Sequence, residues 1–579
     1  MRPRSGARTL GALAVVAMLV LPVGGCGTFS TSIVAQVPTA GPIQQGEQIG
    51  TNPEGNFIRV IARGPRPGMT PMEVVQGFLD ASASFDGNHA VARQYLTAQA
   101  NAGWDTTRGV EIYQGVGALT SFGATLVFRA SKNGAISSIG RYEVAGADEE
   151  LRANFGLVQD GEEWRIDRLP QGLILAQPDV ERSFRSLAIY FFDPTFRTLV
   201  PDPRMVPVLG PGQATTLVRY LIGGPSPWLE PAVRTGFPDG VTLNIDAVPI
   251  EAGIARVDLT ANARNAPDSA RRALSQQLVW TLKQLADVSA IEVSAGSVPL
   301  IVPGALSPQP RDAWPQVDPG ALPTGSAAYL VRPGSVARFV GEVVLPVPGG
   351  AGDSGRNFVR IAVDLNSNRI AGVDGRGRLW RANLAAGSEL TQVPVEVKPA
   401  NPVFDRNGDL WAIDPEQGLA RIDVDGTITP VPVTGLPADA QVRMAVPSRD
   451  GTRVALIVSR GPRNQLLVGR IVRPSPNGAA TISAPVRVES SLAEVLDVAW
   501  AGADSLVVLG SVEAGALQAV EVRIASGSVN GLGAPEGPIS VAAAPGLETL
   551  VAAADGEVYA LVSGDWQPRT RGTAATYPN

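Results

Sequence analysis

The sequence predicts a multidomain α+β and all-β chain, with two α+β domains ahead of a C-terminal β-propeller of about six blades. Three observations carry this. The 64 glycines and 48 prolines are roughly a fifth of the 579 residues, against roughly 12% in an average chain, which calls for many turns between short strands. Helical and alternating apolar periods occur side by side between residues 53 and 302. From Ala327 onwards an apolar strand, a polar turn, a second strand and a Gly-marked turn recur. With Val363, Phe404, Val446, Trp500 and Ala543 as equivalent positions, the steps are 41, 42, 54 and 43 residues.

Composition narrows the function classes before any element is placed. Hydrophobic residues are 44% and charged residues 18%, so the chain is built to bury cores and is too apolar for disorder. Lys and Arg number 48 against 54 Asp and Glu, a net charge of -6, and the only lysines are Lys132, Lys283 and Lys398. A basic stripe for nucleic acid is not expected. One His (His89) and one Cys (Cys26) exclude by counting a His–His metal site, a C-x-x-C pair, a structural zinc knot and a disulfide within the chain. What remains is chemistry run by carboxylates, Ser, Tyr, Arg or Lys, or a binding role with no chemistry; the second is the expectation, with no cofactor and no metal.

Residues 1–25 read as a lipoprotein signal peptide. Arg2, Arg4 and Arg8 form a positive start, and Leu10 to Leu21 is an uncharged apolar run too short to span a bilayer comfortably. It ends in Val23-Gly24-Gly25-Cys26, which resembles the bacterial lipobox: small residues let the chain enter a peptidase in extended form, and the nucleophilic thiol of Cys26 takes a diacylglycerol thioether. Two acyl chains hold a protein on a membrane where one is marginal. An ordinary signal peptide with a coincidental Cys is the alternative. Residues 26–52 have small polar residues, prolines and no period, and read as a flexible tether.

Residues 53–177 form the first domain. Thr70-Pro71-Met72-Glu73 is a capping box with Pro at the first helical position, and Val74, Val75, Phe78 and Leu79 give the helix one apolar face. A second helix is expected from near Asn88 through Val91, Tyr95 and Leu96, followed by strand runs as far as Leu169. Two helices and a curled antiparallel sheet resemble the cone-shaped nuclear-transport-factor-like (NTF2-like) domain. His89, near Asp86, reads as a solvated or capping-region histidine.

Residues 181–302 form the second. Ser186 to Phe192 is a strand, Ala214 to Ile222 a helix closed by Gly223-Gly224, and Val241 to Ile245 is expected to pair as a hairpin with Ile254 to Leu259. Asn265 is expected to cap a helix carrying Leu274, Leu278, Thr281 and Leu285 at helical spacing, before a strand at Ile291. Tyr190-Phe191-Phe192, Leu221 to Pro225 and Val257-Asp258-Leu259-Thr260 carry a resemblance to the GerMN domain of germination and sporulation proteins, which implies an interaction module. Asp193, Asp246 and Asp258 are candidates for a paired-carboxylate site, with strand-end and turn roles as the alternative.

A Pro-rich linker is expected over residues 303–323, and the propeller over 324–579. Asp450-Gly451 and Asn407-Gly408 fit tight hairpins, and strands near Tyr329, Ala337 and Val343 are expected to complete a sixth blade with the C-terminal strand. An open β-solenoid is the alternative. Asp405, Asp414, Asp423 and Asp425 are the nearest approach to a carboxylate cluster, in positions that blade turns also require.

Lipobox, small α+β domain, GerMN-like domain and propeller, in that order in an Arg-rich and Lys-poor chain, resemble the LpqB lipoprotein family of actinobacteria over nearly the whole length. The resemblance implies a non-enzymatic accessory of the MtrA–MtrB two-component system, on the extracytoplasmic face of the cell membrane. It further implies that the partner is the sensor histidine kinase's extracytoplasmic domain, with effects on cell-wall homeostasis and division. It names no interface residue and leaves the oligomeric state open. The alternative is a lipoprotein that binds or hydrolyses cell-wall glycan or peptide through the aspartates above.

Overall fold

The computed structural model describes residues 62–579 apart from positions 124, 147, 209–211, 342, 397–401, 415–417, 475–477, 490 and 513–514. The expected signal peptide and tether, residues 1–52, lie outside the described residues.

The first domain begins as the capping box dictates. Helix Pro71–Ser82 is closed by Thr70, whose backbone N–H donates to Glu73 Oε2 (2.7 Å) while Glu73 N–H donates back to Thr70 Oγ1 (3.4 Å). Its buried face of Val74, Val75, Phe78 and Leu79 sets Phe78 against Trp104 and Phe155. Those two rings belong to the next helical turn and to the sheet. The sheet runs in the order Glu163–Arg168, Glu150–Asp160, Thr125–Ser137, Gly109–Phe122, Leu173–Ala176, antiparallel except for the last pair. A register shift between Gln114 and Ala118 curls it around the helix.

The second helix is much shorter than its apolar pattern predicts. Only Ala90–Arg93 is helical, because Asn88 and His89 both take positive φ (57° and 59°) and Tyr95 and Leu96 leave to join the backbone of Ile166. His89 does stand at the N-cap position of this short helix, but it is not solvated and its side chain makes no capping hydrogen bond. It is buried between Phe85 and Trp104, with Nδ1 3.0 Å from Ser82 O. Burial, helped by nearby Arg93 and opposed by the Ser82 contact, pushes the imidazole down to about 4.

In the second domain strands Phe184–Phe192 and Leu199–Pro207 pair antiparallel, while Ile254–Leu259 and Ala290–Ala295 lie parallel, joined through helix Asp268–Leu282. The expected hairpin shrinks to one bridge, Leu243 with Leu259, and Ile250–Glu251 pairs with Ile254–Leu259 instead. Pro249 has no N–H to extend the ladder and serves only as an acceptor, from Arg256 N–H. Asn265 does not cap the helix: it ends a 3₁₀ turn, Ala261–Asn265, and Pro267 holds Ala266 extended, so the helix starts at Asp268. Gly224 supplies the left-handed residue after helix Gln213–Ile222 (φ 89°).

One face of helix Asp268–Leu282 is polar yet buried. Gln277 Nε2 donates to Tyr190 O (2.7 Å) while its Oε1 accepts from Gly236 N–H (2.6 Å), and Thr281 Oγ1 accepts from Tyr190 N–H (3.2 Å). Gln284, just past the helix, bonds both backbone groups of Ala188. Amide side chains thus take the place of a third strand along Phe184–Phe192.

Residues 303–323 are not an open spacer. Gln309–Pro310 adds a strand to Ala290–Ile291, Gln309 Oε1 accepts from Ser275 Oγ and Trp314 Nε1, Trp280 Nε1 donates to Trp314 O, and Val317 is buried. Trp314 and Val317 pack on the second domain, Leu322 on the propeller, and Leu306 stays exposed.

Beyond it, six four-stranded antiparallel sheets are present among the described residues, and the innermost strands of the first five carry or border the positions that marked the repeat. Blades one to five span Phe358–Glu396, Val403–Pro430, Gln441–Arg487, Glu494–Gly533 and Pro538–Arg571. The sixth joins Thr573–Thr576 to Ala328–Arg332, Ser335–Val340 and Val343–Pro346. The long step of 54 falls where the third blade carries strands of eight and ten residues, Arg453–Arg460 and Arg463–Val472.

Alternation along the middle strands builds the ring. Leu506 and Val508 pack with the third blade, Val507 and Leu509 with the fifth. Each junction between neighbouring blades is one apolar cluster, and the sixth blade contributes to two of them.

Two outcomes follow for stability. Gln277→Leu strands Gly236 N–H and Tyr190 C=O, and is expected to cost about 1–3 kcal/mol in denaturant unfolding. Because the imidazole of His89 titrates below its unfolded value, its contribution is complete above about pH 6.5 and declines as pH falls towards 4, by about 3 kcal/mol at most. His89→Asn, which tolerates positive φ, should flatten the acid limb of the first domain's unfolding curve.

Candidate interaction site

Of the aspartates singled out in the sequence, Asp193, Asp246, Asp258, Asp405 and Asp423 hold local structure through hydrogen bonds. Asp193 accepts from the backbone N–H groups of Thr195, Arg197 and Thr198 and so fixes a turn. Asp246 is exposed and forms a forked pair with Arg219 (2.8 and 2.6 Å), which holds its carboxyl below the usual range. Asp258 accepts from Asn244 Nδ2, Ser294 Oγ and Ser297, bonds that overcome partial burial and lower its carboxyl. No hydrogen-bond partner is shared among these three in the bonds described.

Asp405 is fully buried. Its Oδ1 accepts from Asn407 and Asp409 N–H, closing the hairpin in which Gly408 has φ 80°, and its Oδ2 accepts from Trp411 Nε1 (3.0 Å) and Arg473 Nη2 (2.6 Å). Arg473 comes from the next blade and also donates to Gly451 O (2.8 Å), so this carboxylate fastens two blades together. Asp423 takes Thr427 N–H in an outer turn, Asp425 lies in that same turn, and Asp414 ends strand Leu410–Asp414. The four do not converge on one cleft. Among the described residues no group of three metal-ligating side chains occurs. Cys26 and Val23, Gly24 and Gly25 lie outside the described residues.

Two features that the sequence did not announce organise the molecule. The first is the propeller channel, where the backbone and amide of Asn579 reach three blades: N–H to Val363 O (3.1 Å), Nδ2 to Phe404 O (2.8 Å) and to Pro447 O (3.0 Å). Arg449 lies beneath, buried, with Nη1 on Trp500 O and Nη2 on Pro578 O; its surroundings push the guanidinium down to about 10. About 60 Å³ of space remains there, well below the usual size of a small-molecule site.

The second is a seam between the propeller and the two preceding domains. It is built from Asp202, buried on strand Leu199–Pro207, which pairs with Arg204 (2.6 Å) and accepts from Ser226 N–H (2.6 Å) and Oγ (3.0 Å). Arg204 in turn donates to Ile139 O of the first domain (2.7 Å). The loop so fixed presents Trp228 to the third blade: its Nε1 donates to Ala484 O (2.7 Å), and Arg470 donates to the carbonyls of Pro227 and Trp228. Nearby, Ser186 Oγ donates to Asp504 Oδ2 (3.2 Å). The described residues form one compact unit as a result. The three domains thus present one continuous surface, and the described bonds engage Asp193, Asp246, Asp258, Asp405 and Asp423 in structural roles.

Three family models match the chain: lipoprotein LpqB, N-terminal domain, over residues 64–181; sporulation and spore germination over 188–300; and the lipoprotein LpqB beta-propeller domain over 334–579. The chain is 30% identical to lipoprotein LpqB of Thermobifida fusca, with 99% of both chains covered. It is 28% identical to lipoprotein LpqB of Mycobacterium tuberculosis, over 77% of this chain and 79% of that one. Among solved structures, TolB from Acinetobacter baumannii is similar to 44% of this chain and 67% of its own, at 16% identity and TM-score 0.35. No helix among the described residues is long and apolar enough to cross a membrane.

The seam carries its own pH signature. Burial pushes the carboxyl of Asp504 up to about 6, against the pull of Arg453 and Ser186. A raised carboxyl favours the folded state most at low pH, and that advantage is lost as pH rises from about 4 to about 6. Asp504→Asn keeps an acceptor for Ser186 and is expected to raise stability by about 1–3 kcal/mol at pH 7.5, with the gain vanishing near pH 4, as read by denaturant unfolding at the two pH values.

Proposed function

The chain belongs to the LpqB lipoprotein family, and from that premise we propose that it is a non-enzymatic accessory protein of a two-component system. In this reading it is anchored at the extracytoplasmic face of the membrane and contacts the extracytoplasmic domain of an MtrB-like sensor histidine kinase. Its effect is on cell-wall homeostasis and division. The observation that carries the reading is the seam: Trp228 and Asp504 tie the second domain to the propeller and Arg204 ties it to the first, while Asp193, Asp405 and Asp423 hold turns and blades. A binding face built this way suits recognition of another folded domain.

The anchor in this reading is Cys26, processed after Val23-Gly24-Gly25. Residues 27–52 then act as a flexible tether with a root-mean-square reach of roughly 30 Å, enough to bring the rigid body beside a neighbouring membrane protein.

Cys26→Ser is expected to abolish lipid labelling and to leave precursor or shed protein in a membrane fractionation. A mature-sized variant that resists salt and carbonate washing would count against the anchor. For the partner, photo-crosslinkers on exposed positions of the second domain and the propeller, in cells, should capture the sensor kinase. Capture of wall polymer or wall enzymes alone would transfer the assignment to a wall-binding lipoprotein.

A further inference from the structure

A cavity of about 380 Å³ lies where all three domains meet, within the size range of small-molecule sites and in the kind of interdomain position they favour. Its walls bring together Arg141 from the first domain, Trp228 and Leu229 from the second, and Arg453, Arg487 and Ala525 from the propeller. Arg453 is 2% exposed. Its Nε and Nη2 donate to Asp450 Oδ2 and its Nη2 also to Ala503 O, but the buried Nη1 has no hydrogen-bond partner in the protein. A buried guanidinium donor left in that state is costly unless an acceptor reaches it.

Asp504, buried beside Arg453, accepts from Ser186 through Oδ2 but makes no hydrogen bond to Nη1, and the two carboxylates on the walls do not meet this need either. Asp202 is engaged by Arg204 and Ser226, and the side chain of Glu143 is 62% exposed and 3.9 Å from Arg141 Nε. Apart from Ser226 and Arg487 the remaining lining is apolar or aromatic, with the Arg141 guanidinium 5.5 Å from the centre of the Trp228 ring. A ligand that answers both halves of this lining carries an anionic oxygen group for the arginines and a flat or short apolar body for Trp228 and Leu229.

We propose that the cavity is a binding site for a small organic anion, a carboxylate or phosphate ester bearing a ring or short alkyl group, and that its occupation reinforces the seam between the three domains. This stands independently of the kinase partner, since it concerns the protein alone.

The test uses the full chain in detergent micelles and three probes followed by ¹⁹F NMR titration: 4-fluorobenzoate, 4-fluorophenyl phosphate and the neutral 4-fluorobenzamide. Saturable millimolar or tighter binding is expected for at least one anion, with the amide about tenfold weaker or worse. Which anion binds more tightly separates the carboxylate class from the phosphate class. Ala525→Leu, which adds bulk to the cavity wall, should abolish the binding, and Arg141→Gln, a change at a partly exposed position that keeps the fold, should weaken it about fivefold to tenfold. The bound anion should also raise the melting temperature of the unaltered chain and not that of Ala525→Leu. Absence of saturable anion binding, equal binding of the amide, or binding unchanged in both folded variants would overturn the proposal and leave ordered water as the acceptor for Arg453.

Discussion

Closure of the propeller ring is the constraint on which the rest of the molecule depends. Every blade is apolar on both faces, so an open ring would expose two of them. Closure falls to the pairing of Thr573–Thr576 with Ala328–Arg332, segments separated by about 240 residues of chain. The entropy of closing so long a loop grows only slowly with length, whereas the sixth blade completes two apolar clusters at once. The arrangement in the channel adds to this: Asn579 and Arg449 bond backbone groups of several blades, and Arg473 fastens the second blade to the third through Asp405. The first two domains rest against the closed ring, where Trp228 Nε1 donates to Ala484 O of the third blade.

How much of this the sequence disclosed follows from how far each signal reaches along the chain. The capping box at Thr70 and Glu73 is complete within four residues, and the helix begins where it says. The blade period is a statement about turns and short strands, and the equivalent positions lie on or beside innermost strands. Other features depend on a distant partner and were illegible. Asp405 looked like one member of an acidic group because its partner, Arg473, lies 68 residues away. Asn265 satisfied the local rule for a cap, but Pro267 sets the backbone between it and the helix. Gln277 carries no local signal, since nothing near it in the chain reveals the strand edge it completes. Trp228 showed no pattern at all before the third blade was placed beside it.

The same distinction bears on function. Reactive groups were few by composition, and the structure gives the described aspartates other work: turn closure, a forked arginine pair, a staple between blades. An active site needs groups that converge on a cleft with unfilled bonding capacity. Among the described residues the buried polar atoms without a hydrogen-bond partner include Arg453 Nη1 and Asp504 Oδ1, which lie outside the aspartates singled out in the sequence.

The composite sixth blade also sets a timetable. At roughly 5–20 residues per second, synthesis of the stretch from Ala328 to Thr576 takes on the order of ten to fifty seconds, and for that whole interval the inner side of strand Ala328–Arg332 lacks its neighbour. A strand edge left bare for so long invites pairing with other chains. Each nascent molecule therefore passes through a stage in which its own final strand competes with strangers for a single berth, and the yield of closed rings depends on how well that edge is shielded until the rightful occupant arrives.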